Sequence, residues 1–137
     1  MSKILLLLIT SLTYAHDFHN VEYIRNYDGD TVTVNIKNVH PLLGEFISIR
    51  VKGIDTPEIK GKSACEKRKA LEAKALVSEL LKDSKNIKLI DASRGKYFRI
   101  VAYIWVDGKE IGAELIKAKL AIPYDGGTKR IVDWCNL

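Results

Sequence analysis

Two short segments concentrate carboxylates: Asn26-Tyr27-Asp28-Gly29-Asp30-Thr31 (NYDGDT) and Ile54-Asp55-Thr56-Pro57-Glu58 (IDTPE). Asp-Gly is a favoured pair for a type I′ hairpin turn, so a turn accounts for Asp28 and Gly29. It has no use for Asp30. A hard cation such as Ca2+ wants several oxygen ligands, and carboxylates supply both the oxygen and the charge. Asp30 follows the first turn and Asp55 ends a later strand, so a meander can bring both to one edge of a sheet. An EF-hand is excluded: a loop starting at Asn26 needs a bidentate Glu at its twelfth position, where Lys37 stands.

Two arginines add a second chemistry. Arg50 precedes Asp55 by five residues and alternates with Val51, so it faces away from the core if Val51 faces in. Arg99 follows Gly95-Lys96-Tyr97-Phe98. Each alone reads equally well as a solvated strand cation. Together, two planar guanidinium forks can bind phosphate oxygens bidentately and stabilise the extra charge of a pentacoordinate transition state. Glu58 is either an ordinary loop acid or the group that orients or deprotonates a water for in-line attack.

The elements that must position these residues are legible from periodicity. Val21 and Tyr23, then Val32, Val34 and Ile36 against Thr31, Thr33 and Asn35, alternate as strands do. A third strand runs through EFISIRVKGI and ends before Thr56-Pro57. From Ala64 to Lys82 the period changes: Ala73, Leu76, Val77, Leu80 and Leu81 recur at helical steps, with Ser63 as N-cap and Glu66 completing a capping box. NIKLID and FRIVAYIWV are two more strands, and Asp107-Gly108 turns into a second helix from about Lys109 to Lys119. That order predicts an α+β, mainly β fold: a five-stranded OB-fold barrel with two packed helices.

The chain of 137 residues is long enough for one domain with a real core. Residues 1–15, MSKILLLLITSLTYA, stand apart: a positive Lys3, nine mostly apolar residues, then small residues before His16. They read as a secretory signal peptide, with an uncleaved anchor or a core strand as alternatives; the apolar run is too short to span a bilayer. The domain is then 16–137, exported to the periplasm or beyond, with no membrane attachment after cleavage. Removing one lysine leaves a net charge of +4, a mild excess that suits a polyanionic partner. Cys65 and Cys135 have no metal-ligand spacing. In an exported chain an even pair reads first as a disulfide, and two buried thiols are the alternative.

The segments YDGDTV, IRVKGIDTPE and GKYFRIVAYIWVDGK, in this order and at these spacings, resemble the signature segments of the staphylococcal nuclease (thermonuclease) family from about Val21 to Leu137. The closing LAIPYDGG and WC, with ACEKRKAL, resemble its compact exported bacterial branch. The resemblance implies an OB-type barrel, probing neither sugar nor sequence, that cleaves DNA and RNA with Ca2+ and leaves 3′-phosphate ends. It implies that Asp30 and Asp55 bind the cation through carboxylates and Thr56 through its carbonyl. Arg50 and Arg99 would hold the phosphate, Glu58 would act on the water, and Tyr97 and Tyr124 would line the nucleotide pocket. Against that pattern, Phe98 replaces a usual glycine, Gly95 a common acid, and Lys119 a frequent helix-ending glycine; the loop after Glu58 is short. A monomer is expected. A non-catalytic OB-fold nucleic-acid-binding module is the alternative, disfavoured because the set of acids and arginines is complete. Trp105 and Trp134 are expected in packing, and His16 and His19 in a loose terminus without a role.

Overall fold

The computed structural model describes residues 16–137; the expected signal peptide, residues 1–15, lies outside the described residues. In chain order the elements are β1 (His16–Phe18), β2 (Val21–Asn26), β3 (Thr31–Ile36), α1 (Pro41–Gly44), β4 (Ile47–Val51), β5 (Ile54–Asp55), α2 (Ala64–Lys82), β6 (Ile87–Arg94), β7 (Ile100–Val106), β8 (Lys109–Glu110), α3 (Ile111–Lys117) and β9 (Ile122–Pro123).

The alternation in β3 works as strand chemistry requires: Val32, Val34 and Ile36 are buried while Thr31, Thr33 and Asn35 are half-exposed. Ile49 and Val51 of β4, Leu89 of β6, and Ala102 and Ile104 of β7 join them in one core. The main sheet runs β1-β6-β7-β4-β3-β2, with β8 pairing β7. Its pairs are antiparallel except β4 with β7, which is parallel. β2 also packs near β6, so the sheet curls into a half-barrel. Helix α2 lays Ala73, Val77 and Leu81 against this sheet, and α3 adds Ile111 and Leu115. This is the expected OB-like α+β fold. Among the described residues no helix is long and apolar enough to cross a membrane.

Several details depart from the sequence reading. His16 is not loose: it pairs with Ala92, and β1 extends the sheet beyond the five expected strands. A third helix, the single turn α1, starts at Pro41, where the His40 ring accepts from the Leu42 amide at 3.2 Å. Lys109 and Glu110 pair back onto β7 rather than opening the second helix, because the Glu110 carboxylate caps it, accepting from the Gly112 and Ala113 amides. That helix ends in a Schellman closure: the Leu120 amide donates to the Leu115 carbonyl at 2.9 Å with Lys119 left-handed at φ 58°. The capping box at α2 forms by half. Ser63 accepts from the Glu66 amide, while the Glu66 carboxylate receives the Glu58 amide instead. Trp134 is buried as expected, but Trp105 lies on the outer face of β7, 40% exposed, opposite Glu110.

The hairpin between β2 and β3 is the most instructive departure. Gly29 has no positive φ, so the turn is not type I′. Its lack of a side chain matters for another reason: a Cβ there would lie 2.8 Å from Ala73 Cβ and 3.1 Å from Thr56 Cγ2. Glycine lets the turn close onto α2 and onto the segment carrying Asp55. Cys65, at the start of α2, is disulfide-bonded to Cys135 with Cα atoms 6.2 Å apart. The C-terminal segment is thereby tied to the helix beside the second acidic segment.

Candidate active site

The β3–β4 register sets Thr31 opposite Arg50, and the Val51 amide donates to the Asp30 carbonyl at 2.8 Å. Asp30 therefore enters at the end of β4 where Arg50 projects. A left-handed Gly53 (φ 84°) turns the chain into β5, which pairs with β9 and sets Asp55 opposite Ile122. The Tyr124 amide then donates to the Gly53 carbonyl at 2.9 Å, which brings the chain after β9 to the same place. The two acidic segments meet as the sequence suggested.

Arg50 is the hub. One guanidinium nitrogen lies 3.0 Å from Asp30 Oδ2 and the other 3.5 Å from Asp55 Oδ1. The same two nitrogens donate to the Val51 and Ile54 carbonyls, each at 3.1 Å. Four acceptors fix the plane of the fork, which lysine could not match. All three side chains are largely buried, where charges must be paired to be tolerated.

The pairing is incomplete for Asp30. Burial raises its pKa to about 6, with Arg50 pulling it back and the nearby Asp28 and Asp55 carboxylates raising it further. The folded pKa is thus above the unfolded value. This group favours the native state most at pH below about 4, and that contribution is lost as pH rises through about 6. At pH 7 a charged Asp30 is a liability for the metal-free fold. Asp30→Asn is expected to stabilise that form at pH 7 by about 1–3 kcal/mol and to change little at pH 4. Urea titrations at the two pH values in EGTA check this; equal effects at both would contradict it.

Glu58 stands two-thirds exposed at the rim of the same cleft, which encloses about 580 Å3. Arg99 also lines it, with its Nε buried and unpartnered. The loop 95–99 is tight: the Gly95 amide donates to the Arg99 carbonyl at 2.7 Å, and Tyr97 and Phe98 are both left-handed, at φ 57° and 59°. The glycine that the resemblance leads one to expect at 98 suits that φ; phenylalanine bears about 1–2 kcal/mol of strain there. The missing acid at 95 also has a cause, since a Cβ on Gly95 would meet Val101 Cγ2 at 2.7 Å. Tyr124 lines the cleft and donates its hydroxyl to the Gly127 carbonyl. Tyr97 is not brought into it: the side chain is 86% exposed, and Gly95 and Lys96 supply the loop's share of the wall.

The donors suit a hard divalent cation. Asp30 and Asp55 offer buried carboxylate oxygens, and Thr56, 2% exposed beside them, has an Oγ1 without a hydrogen-bond partner. Among the described residues no group of three or more Asp, Glu, His or Cys side chains converges on one point. A hard cation held here would draw few ligands from the protein, and a shell of about six to eight oxygens would need water or phosphate oxygens to complete it.

One side chain at the site escaped the sequence reading. Lys129 Nζ lies 3.0 Å from Asp55 Oδ1 and 3.6 Å from Glu58 Oε1. Partial burial works against its charge, but Asp55 foremost, then Glu58 and Asp30, hold its pKa above the usual lysine value. The only local signal was the Gly126-Gly127 pair, a turn that could redirect the chain; nothing distinguished Lys129 from Arg130 beside it.

Comparison with known proteins gives a family and several relatives. The family model described as Staphylococcal nuclease homologue matches residues 48–131, more than half the chain, a span that includes Arg50, Asp55, Glu58, Arg99 and Lys129. Endonuclease YncB of Bacillus subtilis (strain 168) is 35% identical over 117 residues, 82% of this chain and 53% of that protein. The SPbeta prophage-derived endonuclease YokF of the same organism is 34% identical over 112 residues, 78% of this chain and 36% of its own length. The probable endonuclease C19F8.04c of Schizosaccharomyces pombe (strain 972 / ATCC 24843) is 34% identical over 94 residues, 62% of this chain and 40% of that protein. The chain spans about half the length, or less, of the curated relatives it matches.

Proposed function

This chain belongs to the staphylococcal nuclease family, and from that premise we propose that it is an exported, calcium-dependent nuclease that hydrolyses phosphodiester bonds of DNA and RNA with little sugar or sequence specificity. The observation that carries this reading is the one cleft lined by Asp30, Arg50, Glu58 and Arg99, with Asp55 buried behind Arg50 and paired to it. A binding module needs positive charge and stacking faces. It has no need of two carboxylates buried under an arginine at a cost in desolvation.

Each residue has a task. Arg50, held in plane by its four acceptors, presents a fixed cation to a phosphate oxygen. Arg99 carries the unpartnered Nε, a donor free to stabilise charge gathering on phosphorus oxygens and on the leaving oxygen. Glu58, exposed at the rim, takes the proton of a water or aligns it; the water oxygen bonds to phosphorus as the 5′ oxygen departs, leaving a 3′-phosphate. Asp30, Asp55 and the Thr56 carbonyl would hold Ca2+, whose charge offsets that of the scissile phosphate. Tyr124 offers an aromatic face and a hydroxyl at the wall. Nothing in this set reads base edges or a 2′-hydroxyl, which supports action on both nucleic acids. The leader residues 1–15 and the disulfide support export.

Purified protein is expected to degrade DNA and RNA in Ca2+ and to stop in excess EGTA, with recovery when Ca2+ is restored. Terminal-group analysis should find 3′-phosphates. Retention of nucleic acid without cleavage, in Ca2+ and in its absence, would instead establish the non-catalytic binding module.

A further inference from the structure

The position of Lys129 gives it a part that the family reading does not assign. We propose that Lys129, which Glu58 helps to hold in place, is a tethered cation that competes with the divalent ion for Asp55, so that the ion must displace it and the site's calcium affinity is set lower than its carboxylates alone would give. The inference rests on the reading of Asp30 and Asp55 as a calcium site.

The geometry is specific to one side chain. Asp55 is buried, yet its Oδ1 receives the Lys129 ammonium at 3.0 Å, and Glu58 Oε1 lies 3.6 Å from the same nitrogen. Calcium binds carboxylate oxygens at about 2.3–2.6 Å, and two cations drawing on one oxygen at such distances repel. Arg50 also touches Asp55, but its fork is fixed by backbone carbonyls and largely buried. Lys129 makes no such bonds, is half-exposed, and can swing into solvent at small cost.

What holds it there is the chain on either side. Upstream, β9 and the Tyr124 amide fix the strand to Gly53, and a turn follows in which the Gly127 amide donates to Asp125 Oδ1 at 2.8 Å and Gly126 is left-handed at φ 92°. Downstream, Cys135 is bonded to Cys65 on α2. Between these anchors residues 128–131 are exposed, Ile131 fully so, and the chain regains an apolar hold only at half-buried Val132 and at Trp134, buried beside Cys135. The segment is therefore strapped at both ends across the mouth of the cleft, and Lys129 is the residue it inserts. Arg130, the next charge along, borders a different hollow beside Tyr103 and Pro123.

Calorimetric titration of Ca2+ into the metal-free full chain tests this with three variants. Lys129→Met is expected to bind Ca2+ more tightly than wild type by at least threefold and on the order of tenfold. Lys129→Arg, which keeps a cation, should stay within threefold. Arg130→Met removes the same unit charge one residue away and should also stay within threefold. A Lys129→Met constant within threefold of wild type would overturn the inference while leaving the calcium site standing. Equal tightening by Arg130→Met would overturn it too, since general charge would then explain the effect. Absence of calcium binding in wild type and Lys129→Met alike would overturn the calcium reading itself, and the competition with it.

Discussion

Glu58→Gln is expected to lower turnover on DNA and on RNA by about 10²–10⁴-fold, the contribution of a positioned general base, with the denaturation midpoint nearly unchanged. The size follows from chemistry: the amide keeps the shape and still meets the rim, but it cannot take a proton. The small effect on stability follows from exposure. The side chain is two-thirds in solvent, and its one charged contact is Lys129 at 3.6 Å, a pair of the sort that contributes about 0–1 kcal/mol. The backbone around it is held independently. Pro57 is fully buried, the Glu58 amide donates to Glu66 Oε1 at 3.4 Å, and the Gly61 amide donates to the Glu58 carbonyl at 2.8 Å. Steady-state kinetics at saturating Ca2+ separate the cases: the loss should fall on kcat, with KM within a few-fold. A fully active variant would remove Glu58 from the reaction and leave only its role beside Lys129.

How much of this was readable beforehand depends on the range of the signal. Alternation placed β3 and β4, and the three- and four-residue steps placed α2 to the residue, because these patterns are set by which side faces a local neighbour. The meeting of Asp30 with Asp55 was legible as a consequence of a meander; alternation with Val51 turned Arg50 away from the core, but its ion pairs with both acids were not legible. Gly29 was misread for an informative reason. A local rule assigns Asp-Gly to a special turn, but the glycine answers to Ala73 and Thr56, contacts made only once α2 docks. β1 was missed because three residues bear no period of their own, and its partner lies far along the chain. Tyr97 was placed in the cleft by resemblance, yet its neighbour Phe98 shares a left-handed backbone with it, and the tight loop points Tyr97 outward. Lys129 was invisible for the same reason as β1. Its place comes from two anchors, β9 and the disulfide, neither adjacent to it in sequence.

On the proposed function Arg50 joins stability to catalysis, and its replacement should show both. Arg50→Ala leaves Asp30 and Asp55 buried with their shared partner gone, a loss of about 3–5 kcal/mol for breaking a buried pair from one side. The direction with pH is fixed by Asp30. Its carboxyl already takes up a proton near pH 6, and without Arg50 it will do so at higher pH still. The destabilisation should therefore be full near pH 8 and shrink as acid neutralises the site, since a protonated Asp30 no longer needs a countercharge. Arg50→Lys should recover part of the stability, because one ammonium can reach one carboxylate. It should not recover activity, because the planar fork that holds a phosphate oxygen while gripping both acids is lost; a deficit of about 10²–10³-fold is expected. Calcium then distinguishes damage to the site from general unfolding. A divalent ion on the two carboxylates supplies the compensation that arginine gave, so saturating Ca2+ should raise the melting temperature of Arg50→Ala by more than it raises that of wild type. Thermal melts in Ca2+ and in EGTA, at pH 8 and pH 5, measure all of this at once. An Arg50→Ala protein that melts like wild type in EGTA at pH 8 would mean that the two carboxylates do not depend on the arginine for their burial.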